Sequence, residues 1–193
     1  MHIAATWPFL ASTALTFATA DNSINDPLGR FTAKGFTAGM AFEVYGSAVG
    51  GNNTLWTILT VTDGKIVTTE PLGGNDSGAN LKTLYGPCTL TWHRRTRVGG
   101  NWITNKWVAL GEAFDRYEIV LLDSTFATEL LVQAVAGVDT NTVNNPMLPT
   151  VTLTAEQIGV AYLFAPPTAL YVRIYQISDL VGRGYPGEVT VTA

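Results

Sequence analysis

One stretch of the sequence, TWHRRTRVGGNWITN at residues 91–105, decides the predicted fold class. Thr91 and Trp92 are typical of a β-strand whose tryptophan faces a core. A basic loop interrupted by two glycines follows, and it carries a second tryptophan, Trp102. Nothing in the stretch resembles a reaction centre. The stretch therefore predicts an all-β protein that makes contacts rather than performs chemistry.

Short strand signals recur on both sides of this stretch at the spacing typical of all-β proteins. Residues 57–62 and 65–69 flank Asp63-Gly64, a pair favoured in tight hairpin turns. Residues 170–177 alternate most clearly, which places Leu170, Val172, Ile174 and Gln176 on one face. Further strands are predicted at residues 15–18, 29–32, 40–45, 89–92, 117–122, 151–154 and 188–192.

Helical periodicity is almost absent. Residues 127–136 contain good helix formers, but a strand fits them at least as well. Thr154 could start one helical turn as the N-cap, with Gln157 completing a capping box. In residues 40–45 we expect Met40, Phe42 and Val44 to share one face of a strand, unless the register flips and presents Ala41 and Tyr45 instead.

The glycine-rich segment 73–80 is the best candidate for a linker, because it is polar and lacks periodicity. We therefore predict an N-terminal β-sheet or barrel module with an apolar arm at residues 1–72, a linker at 73–86, and a β-sandwich at 87–193. About seven short strands in the last part, with an early tryptophan and a late tyrosine-bearing strand, are the layout of an immunoglobulin-like or fibronectin type III sandwich.

The composition narrows the function. Charged residues make up 13% of the 193 residues, about half the usual share. Such a chain is either a stable isolated β domain or a subunit whose surface is buried in a large assembly. The net charge of −4 argues against non-specific nucleic-acid binding. No apolar run is long enough to cross a membrane, and the first twenty residues lack the basic start of a secretion signal.

Enzyme and metal functions are poorly supported, and we expect no catalysis and no cofactor. His2 and His93 are the two histidines, and no Gly-x-Ser-x-Gly elbow is present. Glu112 and Asp115 are close in sequence, but a hydrolytic carboxylate pair needs a cleft that a sandwich edge does not offer. The single cysteine, Cys88, excludes an internal disulfide. The oxygen-rich residues 21–26 are either a weak calcium site or a polar turn.

Interface residues are better supported. Tryptophan and arginine dominate the energetics of protein interfaces. Arg95 and Arg97 share a strand face and could dock an acidic neighbour; alternatively, the arginines form salt bridges within their own domain and the tryptophan pair covers one end of its core. The N-terminal arm packs on its own domain or clasps an adjacent subunit. The predicted interface residues are Trp7, Phe9, Arg95, Arg97, Trp102 and Trp107.

The second half resembles the fibronectin-like domains in tail proteins of tailed bacteriophages and gene transfer agents. Residues 90–97 resemble their L-x-W-x-R-R-x-R strand, and the similarity continues at Trp102, 110–112, 116–119, 171–178 and 181–184. The first half is similar, more loosely, to small β modules of phage structural proteins, at residues 35–40, 44–47 and 52–58.

This resemblance implies a virion structural protein, assembled in the bacterial cytoplasm, at the tail tip, hub or fibre attachment. Its partners would be other virion proteins and further copies of itself in a symmetric particle, without nucleic acid or membrane. Two alternatives are a receptor- or glycan-binding tail fibre module, whose aromatic residues stack on a host surface glycan, and a capsid decoration protein.

Overall fold

The structure is a computed structural model of the chain, and it describes residues 2–93, 116–135, 148–178 and 182–192. The predicted all-β class is confirmed: the described residues form fifteen strands and a single α-helix. In chain order the strands are β1 (Ile3–Thr6), β2 (Phe9–Ser12), β3 (Thr16–Ala18), β4 (Ser23–Asn25), β5 (Ala41–Tyr45), β6 (Leu55–Thr62), β7 (Lys65–Thr68), β8 (Lys82–Tyr85), β9 (Cys88–Trp92), β10 (Arg116–Leu122), β11 (Glu129–Val135), β12 (Thr150–Leu153), β13 (Ala169–Ser178), β14 (Gly182–Arg183) and β15 (Gly187–Thr192). The helix α1 (Ala155–Ala161) lies between β12 and β13.

The chain forms two compact units. The N-terminal unit contains Thr6–Cys88, Thr152–Ala169 and Thr192–Ala193, and the C-terminal unit contains Met1–Ala5, Thr89–Val151 and Leu170–Val191. This division differs from the predicted boundaries in three main ways. Met1–Ala5, the start of the predicted N-terminal module, belongs to the C-terminal unit. The predicted linker, residues 73–86, includes strand β8, and a later segment with α1 returns to the N-terminal unit.

The N-terminal unit contains a seven-stranded sheet in the order β2-β8-β5-β6-β7-β4-β3. The predicted hairpin is confirmed, because Thr62 pairs with Lys65 across Asp63-Gly64. One face of the sheet covers a core of closely packed apolar side chains, in which Phe36 stacks edge-on against both Phe31 and Phe42. The other members of this core are Leu10, Leu15, Phe17, Ile24, Val44, Trp56, Ile58, Ile66, Leu72 and Leu84.

The predicted strand at residues 29–32 is wrong, and this segment is a series of turns. The Asp26 carboxylate accepts hydrogen bonds from the backbone N–H groups of Leu28 and Arg30 and from the Arg30 guanidinium. These bonds offer the backbone an alternative to strand pairing. Phe31 is nevertheless fully buried, so the segment contributes to the core without being a strand.

The C-terminal unit contains a sheet in the order β11-β10-β13-β14, with β15 also paired to β13. A smaller sheet has the order β1-β9-β12. The predicted alternation of residues 170–177 is confirmed, since Leu170, Val172, Ile174 and Gln176 are all buried. Trp92 is fully buried and packs edge-on against Tyr117, with ring centroids 5.1 Å apart. Membership of the fibronectin type III class stays a prediction.

Candidate functional site: a carboxyl-lined groove in the N-terminal unit

The candidate site lies on the face of the seven-stranded sheet opposite its apolar core. Glu43 on β5 pairs with Leu55 on β6 and with Tyr85 on β8. Directly paired residues in an antiparallel sheet point to the same face, so these three side chains form a row across three strands. Phe42 and Val44, on either side of Glu43 in sequence, belong to the core on the other face.

Helix α1 covers this row. It begins as predicted, with a capping box at Thr154: the Thr154 side chain accepts from the Gln157 N–H, and the Gln157 side chain accepts from the Thr154 N–H. The helix packs against β5 and buries Ile158 completely. Gly159 provides the close approach, because a Cβ there would collide with Glu43 Oε2 and lie 2.8 Å from the Tyr85 oxygen.

Glu43 is a buried carboxyl group with one hydrogen-bond donor. Only 4% of the residue is exposed, and Tyr85, which is fully buried, donates its hydroxyl hydrogen to Glu43 Oε2. The other oxygen, Oε1, has no hydrogen-bond partner among the described residues. A carboxylate can accept several hydrogen bonds, so this group has unused acceptor capacity.

The electrostatics of the row follow from burial. Burial raises the pKa of Glu43, the hydrogen bond from Tyr85 lowers it, and the negative charge of Glu156 raises it further; the net direction is upward. Burial and the neighbouring Glu43 also raise the pKa of the Tyr85 hydroxyl. Neither Glu43 nor Glu156 forms an ion pair with any described cation.

The row opens into a groove with a volume of about 370 Å³. This volume is in the range of sites that hold a small ligand or one large side chain. Its walls combine apolar side chains with two carboxyl groups. The lining residues are Glu43, Val44, Tyr45, Asn53, Thr54, Leu55, Glu156 and Phe164.

The end of α1 and the residues after it present apolar side chains beside the groove. Leu163 and Phe164 both have left-handed backbone angles, with φ of 53° and 62°. This conformation is uncommon for residues other than glycine. The Phe164 N–H donates to the Gly159 carbonyl oxygen at 2.6 Å, which ends the helix. Leu163 is 84% exposed, Val160 58% and Phe164 49%, so three large apolar side chains face solvent within five residues.

Of the six predicted interface residues, two lie in the described part of the chain. Trp7 and Phe9 are buried, with ring centroids 4.7 Å apart. Phe9 pairs with Tyr85 in the sheet, so this part of the arm packs on its own unit rather than offering these rings to a neighbour. Arg95, Arg97, Trp102 and Trp107 lie outside the described residues, as do Glu112 and Asp115.

The residues considered for catalysis, metal binding or a disulfide have the following surroundings. His93 is exposed, and its ring lies 5.9 Å from that of His2. In the oxygen-rich segment, Asp21 pairs with Lys65 and Asp26 with Arg30, so both carboxylates have cation partners within the protein. Cys88 is buried, which raises the pKa of its thiol to about 12. Within the described part of the chain, no group of three or more metal-binding side chains is assembled.

Sequence reasoning missed the groove residues Glu43, Tyr85, Glu156 and Phe164. One signal was present: a glutamate lies between two core residues, Phe42 and Val44, in a strongly apolar strand. One helical turn starting at Thr154 was predicted, but the position of the helix over β5 depends on contacts between segments far apart in the chain.

Comparison with known proteins adds no relationship: no protein-family model matches the sequence, and no curated protein is significantly similar to it. Among the described residues, no helix has both the length and the apolar character that crossing a membrane requires.

Proposed function

We propose that the protein is a structural component of a bacteriophage virion, at the tail tip, hub or fibre attachment, and that it acts through protein–protein interfaces. A capsid decoration protein would use its surface in the same way. The proposal rests on the resemblance of the second half to phage tail domains and on the character of the surface beside the groove.

One observation carries the proposal: apolar side chains are exposed together at the groove. Tyr45, Leu55 and Phe164 line it and are each more than two-fifths exposed, and Val160 and Leu163 lie in the adjoining segment. Contiguous exposed apolar surface on a folded protein marks an interaction site. We call these five residues the apolar rim.

The rest of the composition agrees with this use of the surface. Only 13% of residues are charged. Lysine and glutamate are depleted where subunits pack together. A chain of this composition is suited to a particle in which much of its surface is covered by neighbours.

A second candidate, a glycan-binding module of a tail fibre, is favoured by one observation. Two partly exposed rings, Tyr45 and Phe164, line the same groove as two carboxyl groups. Aromatic rings can stack on sugars, and carboxylates can accept hydrogen bonds from hydroxyl groups. The apolar side chains of Val160 and Leu163 beside the groove favour a protein partner.

Sedimentation velocity of the purified chain over a wide concentration range tests the proposal. We expect concentration-dependent self-association that is weakened by Leu163→Glu and unaffected by Leu28→Glu, a matched control at a leucine that is 64% exposed and does not line the groove. A wild-type chain that stays monomeric at its highest soluble concentration would contradict self-assembly.

A further inference from the structure

The groove has negative charge without a matching cation. Glu43 and Glu156 both line it, and no lysine or arginine among the described residues does so. Glu43 is buried, and its Oε1 meets no hydrogen-bond donor among the described residues. Burying a carboxylate is costly unless a cation or hydrogen bonds compensate, so a cation at this position would stabilise both carboxyl groups.

The other polar atoms of the groove are mostly in use. The Asn53 side chain accepts from the Ser47 N–H at 2.8 Å and donates to the Ser47 carbonyl oxygen at 2.9 Å. The side-chain groups left to meet a ligand are the carboxyl oxygens and the hydroxyl groups of Tyr45 and Thr54. These hydroxyl groups could serve a sugar as donors or acceptors, but only a cation balances the charge of the two carboxyl groups. The groove therefore fits a cation better than a neutral saccharide.

The apolar walls restrict the kind of cation. Leu55 suits an aliphatic stem, and the rings of Tyr45 and Phe164 can contact a positive group by cation–π attraction. A long side chain with a terminal charge meets both conditions. Arginine matches best, because its planar guanidinium binds carboxylates with two parallel hydrogen bonds and stacks on aromatic rings.

The sequence of this chain contains such a segment. Arg94, Arg95 and Arg97 fall within four residues and are followed by Val98. We propose that the arginine segment of one copy docks in the groove of a second copy, with a guanidinium group between Glu43 and Glu156. This inference rests on the proposed function and names the contact through which the copies join. A head-to-tail contact of this kind produces rings or filaments.

Two double variants and their mixture test the contact by sedimentation velocity. Glu43→Gln/Glu156→Gln removes the groove charges with little change of shape, and Arg95→Ala/Arg97→Ala removes two of the three cations, the pair predicted to share a strand face. We expect each to weaken self-association at least about tenfold, since charge-assisted hydrogen bonds are lost. Mixed together, the two variants should form a heterodimer and nothing larger, because one intact groove and one intact segment remain per pair.

A peptide provides a second measurement that does not depend on assembly. The probe is acetyl-Arg-Arg-Thr-Arg-Val-amide, matching residues 94–98, titrated into the full-length Arg95→Ala/Arg97→Ala variant. We expect binding that is lost when citrulline replaces arginine, and lost when Glu43→Gln/Glu156→Gln is added. Phe164→Ala should also weaken it, and this residue is exposed enough for the change to leave folding intact.

The outcomes separate the two proposals. A wild-type chain that never associates overturns the proposed assembly function. Association that persists undiminished in both double variants leaves that function standing and overturns the docking contact. Equal binding of the arginine and citrulline peptides also overturns it. Binding of a neutral oligosaccharide such as maltohexaose, abolished by Glu43→Gln/Glu156→Gln, would overturn it in favour of glycan recognition.

Discussion

At the scale of single residues, Glu43 is a side chain whose burial the neighbouring sequence does not predict. Its neighbours along β5 face the core, while its own side chain is covered by α1 and bonded by Tyr85. Local alternation predicts a polar residue on the face opposite Phe42, and that much is correct. The burial of that face depends on a helix from a distant part of the chain, and no local pattern contains this information.

The pH dependence of stability tests the state of this carboxyl group. Because the pKa of Glu43 is raised on folding, its contribution is fully present below the ordinary carboxyl pKa and is lost as pH rises through the folded value. Glutamine does not ionise, so Glu43→Gln does not lose stability in this way as pH rises. We expect the difference in unfolding free energy between variant and wild type to shift in favour of the variant as pH rises, measured by urea unfolding at several pH values.

Asp26 and Asp76 serve as an internal reference in that experiment. Burial opposes their ionisation, but hydrogen bonds outweigh it and lower the pKa of both carboxyl groups. Their contribution to stability is lost on acidification in both proteins and cancels in the difference. Glu156→Gln removes one of the two causes that raise the Glu43 pKa, so its effect should have the same sign and be smaller. A difference that is constant with pH would contradict the account.

Gly159 tests the close approach of helix and strand. Alanine there would place a methyl group against Glu43 and Tyr85. We expect Gly159→Ala to lower the unfolding free energy by about 1–3 kcal/mol, the usual cost of overpacking a tight contact. Gly50→Ala is the control, since a Cβ at Gly50 meets nothing within 4 Å. Equal effects in chemical denaturation would show that α1 does not lie tightly on this row.

At the scale of elements, strands with alternating burial were predictable and the exceptions had specific causes. β13 and the β6–β7 hairpin follow directly from alternation and from Asp63-Gly64. β8 lies within the linker predicted at residues 73–86, yet all four of its residues are buried. The burial of Lys82 depends on Asp76 from a separate turn, so its position could not be inferred from the strand's own sequence.

The ion pair that allows β8 to be buried should matter far more than one on the surface. Lys82 Nζ lies 3.4 Å from Asp76 Oδ1 and donates to the Gly78 carbonyl oxygen at 2.6 Å, and neither ionic side chain is appreciably exposed. We expect Lys82→Met to cost about 3–5 kcal/mol, because it leaves a buried carboxylate without its cation.

Lys65→Met is the matched control for that substitution. Lys65 pairs with Asp21 at 2.6 Å, but both side chains are more than two-fifths exposed. Such surface pairs contribute about 0–1 kcal/mol. If thermal or urea unfolding gives the two methionine variants similar stability losses, the Lys82–Asp76 pair does not hold β8 in place.

At the scale of the whole molecule, the chain path sets the limits of what sequence could predict. A two-part organisation was expected and two units are observed, but the N-terminal unit takes its covering helix from Thr152–Ala169. Linker composition locates flexible segments; it does not show which unit a later segment joins. The groove residues come from two separate stretches of this unit. A prediction that divides the chain at a single boundary therefore cannot bring them together.

This path predicts that the two halves do not fold independently. A fragment of residues 1–88 retains the strands of the seven-stranded sheet but lacks α1. Burial of Ile158 alone contributes about 1.5–3 kcal/mol, and its loss is accompanied by exposure of the sheet face beneath the helix. We expect the fragment to melt well below the intact chain when followed by circular dichroism. A melting temperature equal to that of the full chain would contradict the assignment of α1 to this unit.

We propose that this protein works by subunit contact through the apolar rim and the carboxyl pair of the groove. The most direct measurement is a density map of the intact particle at a resolution that shows side chains. We expect each groove to be filled by an arginine from a neighbouring subunit, flanked by Tyr45 and Phe164. A groove open to solvent in every copy, with no chain against Leu163, would contradict it.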